Sequence, residues 1–298
     1  MGCQLTRVVI LGTLMTGLTW CGASVAQEQS PPAKPEPRPT ALVYPISIAV
    51  APQQGIFVAD LNGHCVWQIK EQKLSLFSFG SRRFRTPLNR VRCVEIDAQG
   101  NVLAGDTGAR EVYRLDDTGK TTGLTRQKKE DFGIGMPMDM VIDREGNVLV
   151  ADLERPGHIW KVPAAGGAPE RLVRVNAPRG LALDSEQRLW VISGRKLLRF
   201  DAEYKPQTIV DEGTFSFPHT VVIDPAGTAY VADGYKKTIW KVPADGKPQA
   251  WVQGKPLVNP VGLAWQGEQL LVVDPRAKAV FQISGEGKLS PLELKTGP

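Results

Sequence analysis

Four side chains capable of chemistry stand at one repeated position of this chain. Arg92, Asp139, Arg179 and His219 each lie one or two residues beyond Val91, Pro137, Pro178 or Pro218. A guanidinium is a planar fork of donors that pairs with carboxylate, phosphate or sulfate in bidentate geometry. An imidazole titrates near neutral pH and can exchange a proton there. The chemistry to expect is therefore anion capture by Arg92, Arg179 and His219. If the chain is an enzyme, His219, Asp139 and Arg179 form its catalytic set, with Arg92 holding the anion beside them.

Zinc catalysis needs three protein ligands and an open position. The chain has three histidines, and only His219 falls in this register. His64 and His158 lie where other copies carry Arg110, Lys237 and Lys278, and read as substitutes for a basic loop residue. No glycine-rich phosphate loop leads into a helix, and neither a nucleophile elbow nor a Cys-x-x-Cys is present. Ser47 and Ser216 have no base nearby in sequence. A further signal is positive charge: Arg82, Arg83, Arg85 and Arg90 crowd one connection and Lys128 and Lys129 another. Arg195, Lys196, Lys236, Lys237, Arg276 and Lys278 occupy loops expected on the same face. Two readings fit, an electropositive face that captures anions or a solvated surface rich in Lys and Arg.

The elements that position these residues are strands. In residues 217–242, Thr220 to Asp224 is β-branched and alternating, Asp224 to Gly227 is a turn, Ala229 to Asp233 is a second strand and Thr238 to Val242 a third. The unit recurs six times, opening at Pro45, Val91, Pro137, Pro178, Pro218 and Pro260 at intervals of 46, 46, 41, 40 and 42 residues. An acid ends the second strand in five copies (Asp60, Asp106, Asp152, Asp233, Asp274), whereas copy four has Ser193. Recurrence at one strand end marks these acids as acceptors of backbone N–H groups in the following turn. A looser fourth strand follows in each copy. Four antiparallel strands per period of about 40 residues predict a propeller blade. The sequence thus predicts an all-β, six-bladed β-propeller over residues 41–298, its aromatic ring of Trp67, Tyr113, Trp160, Trp240 and Phe281 packing blade on blade.

The pattern Pro-x-x-apolar-x-apolar-Asp, then Gly-Asn-apolar-apolar-Val-Ala-Asp, then a basic residue before the third strand, resembles the NHL repeat from Pro45 to Ile283. Copies three and five match best. The resemblance implies a six-bladed ring that serves as a protein or RNA interaction module. Its architecture is similar to that of senescence-marker and gluconolactonase-like enzymes and of amidating lyases. A calcium-dependent lactonase of that kind would draw oxygen ligands from Asp139, Glu95 and Asn89, although no acid opens the first copy. Calcium or zinc is thus the cofactor to consider, with no ligand set assigned. Two functions stand side by side, a binding module for an anionic small molecule, glycan or protein, and a hydrolase or lyase at the channel mouth.

Residues 1–26 carry Arg7, an apolar run from Val8 to Leu18 and the small residues Ser24-Val25-Ala26, the pattern of a cleavable signal peptide. A lipoprotein reading through Cys21 is the alternative. Residues 27–40 are a Pro-rich spacer. The expected protein is secreted or periplasmic and monomeric, with no membrane span after signal removal. Without Arg7, 35 Lys and Arg face 31 Asp and Glu, a net charge of +4. That excess is mild, and for an exported chain nucleic acid is not an expected partner. Cys65 and Cys93 remain, and free thiols are expected because third strands usually lie too far from a neighbour's first strand for a bond.

Overall fold

The β-branched and apolar runs become strands because each can bury both faces between neighbouring blades. In the computed structural model, which describes residues 36–83, 85–125, 133–244 and 246–296, six antiparallel sheets of four strands form a six-bladed propeller. The inner strands are Pro45–Ala51, Val91–Ile96, Pro137–Ile142, Pro178–Leu183, Pro218–Ile223 and Gly262–Gln266. The first five begin where the repeat places them. The propeller belongs to one unit that begins at Pro37. The expected signal peptide, the expected spacer up to residue 35, and Lys128 and Lys129 lie outside the described residues.

The core lies between blades. Leu103 and Val112 of blade two pack with Met140, Val150 and Trp160 of blade three, and Leu149 and Ile159 of blade three pack with Val191 and Phe200 of blade four. Second strands such as Val148–Asp152 are buried at every residue, which explains why their apolar residues run on without alternation. Trp67 and Trp160 keep only 2% and 5% of their surface exposed. Burial of a side chain that size contributes about 5 kcal/mol before entropy is counted.

Five of the six blades are tied to the loop that enters them by the acid at the end of the second strand. Asp60 accepts the N–H groups of Val43 and Tyr44 at 2.7 and 2.8 Å, of Gly63 at 2.8 Å, and the Trp67 indole N–H at 3.2 Å. Asp152 repeats this with Gly135, Met136, Glu154 and Trp160, and Asp233 with Ser216, Phe217 and Lys236. The acids accept N–H groups of the following turn, as the repeat implied. They also hold the residues just before the inner strand, which the repeat did not reveal. In blade four Ser193 instead donates its hydroxyl to the Asn176 carbonyl at 2.7 Å.

The ring closes through the C-terminus. The outer strand of blade six ends at Pro291, and Lys295–Thr296 then pair in parallel with Lys73 and Leu74, giving blade one a fifth strand. Residues 41–44 are a lead-in tied to Asp60 and add no edge strand. Cys65 and Cys93 are buried free thiols.

Replacing Asp152 with alanine leaves three backbone N–H groups and an indole N–H without their acceptor. A loss of about 3 kcal/mol is expected, measured by urea unfolding; a variant within 0.5 kcal/mol of the parent, a margin typical of surface substitutions, would show that the acid is dispensable.

Candidate functional site

The inner strands start at one end of the central channel, and there the ladder is irregular. Pairing with the second strand skips between Val91 and Cys93, between Pro178 and Leu181, and between Pro218 and Val221. Bulges of this kind release a side chain from the pleat and re-aim it. Arg92, Arg179 with Gly180, and His219 with Thr220 lie inside these three irregularities, and the same skip falls at Ile46 and Met138 in blades one and three. Gly180 lets blades four and five meet at this level, because a β-carbon on it would lie 2.7 Å from the His219 carbonyl oxygen.

The three side chains lie close enough to influence one another's charge. His219 is buried, and Arg92 and Arg179 are the charges that act on it. Burial first, and then the two cations, lower its pKa to about 3. This corrects the expectation that it exchanges a proton near neutral pH: at pH 7 the imidazole is neutral and can only donate or accept a hydrogen bond. Burial also lowers the pKa of both arginines. The buried Nε of Arg92 has no hydrogen-bond partner. Among the described residues neither Arg92 nor Arg179 has a carboxylate within ion-pair distance, whereas Arg195 and Lys196 reach Glu212 and Asp211 at 3.6 and 2.8 Å. The positive face is thus partly neutralised at its loops and uncompensated at the mouth.

Two aromatic residues complete the mouth. The Arg179 guanidinium lies over the Phe217 ring at 4.4 Å, and Phe217 stacks with Tyr235 at 4.6 Å and 18°. Tyr235 is 63% exposed. Sequence reasoning did not single out either residue. Phe217 stands just before the inner-strand proline, where copy one also holds an aromatic, Tyr44, and copies three and four hold Met136 and Ala177, so the position alone gave no signal.

Asp139 belongs to a different group. It lines a channel cavity of about 220 Å³ together with Ser47, Glu95, Thr220 and Trp265. Its carboxylate accepts the Leu181 N–H at 2.9 Å and its own following N–H, from Met140, at 3.0 Å. Ser47 accepts the Val94 N–H in the same way at 3.2 Å. Enclosure by the inner strands raises Glu95 to about 7 and Asp139 to about 8, the latter helped by Glu95. The set His219, Asp139 and Arg179 is therefore divided between a cationic mouth and an acidic channel.

Among the described residues no three of His, Cys, Asp and Glu gather as ligands. Asn89 spends its amide on the Ser81 and Arg83 carbonyls at 2.9 and 3.0 Å. The His64 imidazole pairs with the Asn89 carbonyl from the turn expected of it, whereas His158 opens the third strand of blade three and packs on Trp160, Gly157 taking the turn position.

No protein-family model and no curated protein sequence matches this chain. Solved structures do. A gluconolactonase from Xanthomonas campestris aligns with a TM-score of 0.69 at 15% identity, covering 85% of this chain and 87% of that one. A streptogramin B lyase aligns at 0.64 with 14% identity, covering 86% and 84%. A nidogen/laminin complex gives 0.63 with 14% identity over 74% and 84%. At such identities the likeness establishes the fold.

The two channel carboxyls make stability depend on pH. Their folded pKa values lie above the unfolded ones, so the native state binds more protons, and the stability present at low pH is lost as pH rises through 7 and 8. His219 acts oppositely, its stability being lost only as pH falls from about 6.5 towards 3. Between pH 6.5 and 8 the parent should lose stability in urea while the Glu95→Gln/Asp139→Asn pair stays flat; equal slopes would contradict the assignment.

Proposed function

We propose that this chain is an exported propeller that holds an anionic ligand at the mouth formed by Arg92, Arg179 and His219. The observation that carries this reading is the orphaned, buried Nε of Arg92 beside a second arginine, both without a carboxylate. Desolvated cations are costly unless compensated, and an anion would supply the compensation together with charge-assisted hydrogen bonds. Neutral His219 contributes a hydrogen bond to the same ligand. The NHL-like repeat supports a binding module whose partner is a small molecule, a glycan or an acidic protein segment.

A second reading, hydrolysis or elimination at the mouth, draws support from the gluconolactonase and lyase neighbours. In that case the acidic channel group, Asp139 and Glu95, supplies the proton-transfer residues, since their raised pKa values lie near working pH. Arg92 and Arg179 would hold the substrate's anionic part. Metal analysis of the purified protein separates the readings, because stoichiometric, tightly held calcium or zinc would favour the enzyme.

Titration with sulfate by calorimetry tests the binding reading. Affinity should fall as sodium chloride rises, and should be lost in Arg92→Gln/Arg179→Gln while the thermal midpoint stays close to the parent's. A folded double variant that binds sulfate as the parent does would overturn the proposal.

A further inference from the structure

We infer that Phe217 is a positioning residue of the mouth, its ring fixing the Arg179 guanidinium before any anion arrives; this rests on the anion-binding reading above. Arg179 is half-buried near the start of the blade-four inner strand. Among the described residues its guanidinium makes neither an ion pair nor a hydrogen bond, and the contact that holds it is the Phe217 ring, 4.4 Å away. A ring attracts a cation through its quadrupole and leaves the donors of the guanidinium fork to the oxygens of a ligand.

The ring is itself fixed. The Phe217 N–H donates to Asp233 at 2.9 Å, and its carbonyl accepts the Gly234 N–H at 3.1 Å. Tyr235, the next residue, stacks on the ring at 4.6 Å and 18°. Tyr235 and the guanidinium are both too close to the ring to share one of its faces, so Phe217 lies between them. The His219 imidazole stands 6.2 Å from the same ring, which makes Phe217 the neighbour of two of the three mouth residues. Phe217 is not simply core. Phe215, two residues earlier, is buried in the cluster between blades four and five, whereas Phe217 is half-buried and lies outside that cluster.

A free arginine side chain samples many rotamers, and a ligand that binds it must order it. Ordering one such side chain weakens binding by roughly two- to twelvefold. Seating Arg179 on Phe217 removes that cost from the binding step.

Nitrogen-15 relaxation of the Arg179 Nε in the anion-free protein, together with sulfate titration by calorimetry, tests the assignment. The Nε should be ordered in the parent and in Phe217→Tyr, and mobile in Phe217→Leu. Sulfate affinity should fall at least twofold in Phe217→Leu and be kept in Phe217→Tyr. In an Arg179→Gln background, where Arg92 still takes sulfate, Phe217→Leu should change nothing. A mobile Arg179 Nε in the parent, an affinity unchanged by Phe217→Leu, or an equal loss with and without Arg179 would overturn the inference and leave the anion site standing. Absence of sulfate binding by the folded parent would overturn the anion site and, with it, this inference.

Discussion

Everything at the channel mouth depends on how each blade accepts the chain that enters it. A connection arriving from the previous blade brings two backbone N–H groups that no ladder can pair, and leaving them buried without acceptors would cost several kcal/mol in sum. In every blade but the fourth, where Ser193 stands, one carboxylate at the end of the second strand takes both, then takes one or two more N–H groups from its own turn. In the blades with Trp67 and Trp160 the same carboxylate also receives the indole N–H. A single side chain thus joins loop, turn and inter-blade core. The residue it fixes stands directly before the inner strand, so the acid also determines where the first side chains of that strand begin.

The bulges then do what the repeat alone cannot. They take Arg92, Arg179 and His219 out of the ladder and leave them at the opening. Deeper in the channel the side chains one step further along serve the backbone instead, Ser47 and Asp139 each accepting an N–H from the next blade's inner strand. The outcome is a separation of charge along the channel, unpaired cations at the mouth and carboxyls with raised pKa values within. Each group shifts its titration in the direction that favours its neutral form, as burial without a partner requires. Those shifts mark places where a ligand of the right charge would be welcome.

The architecture was legible in the residues because a propeller is written six times. The spacing of the prolines and of the strand-ending acids located the inner strands, and the continuous apolar runs showed that both faces are covered. Ring closure was not legible. Lys295 and Thr296 carry no repeat signal, and their pairing with blade one follows from where the last outer strand stops. At the mouth, Arg92, Arg179 and His219 could be found from their register. Asp139 stands two residues beyond its proline, not one, so its register matches Ser47 and not the three mouth residues. Phe217 and Tyr235 were missed because aromatic residues in this fold are read first as core, and only exposure in three dimensions tells a platform from a packing residue. The neutral state of His219 depends on enclosure and on two arginines from other blades, neither of which its neighbours in sequence reveal.

Diffraction from crystals grown with selenate, recorded at the selenium edge, tests the central claim most directly. The account predicts an ordered anion at the mouth, within hydrogen-bonding distance of Arg92 and Arg179, with the Arg92 Nε among its donors. Selenate found only at other surfaces, with both guanidinium groups left as they stand, would contradict it.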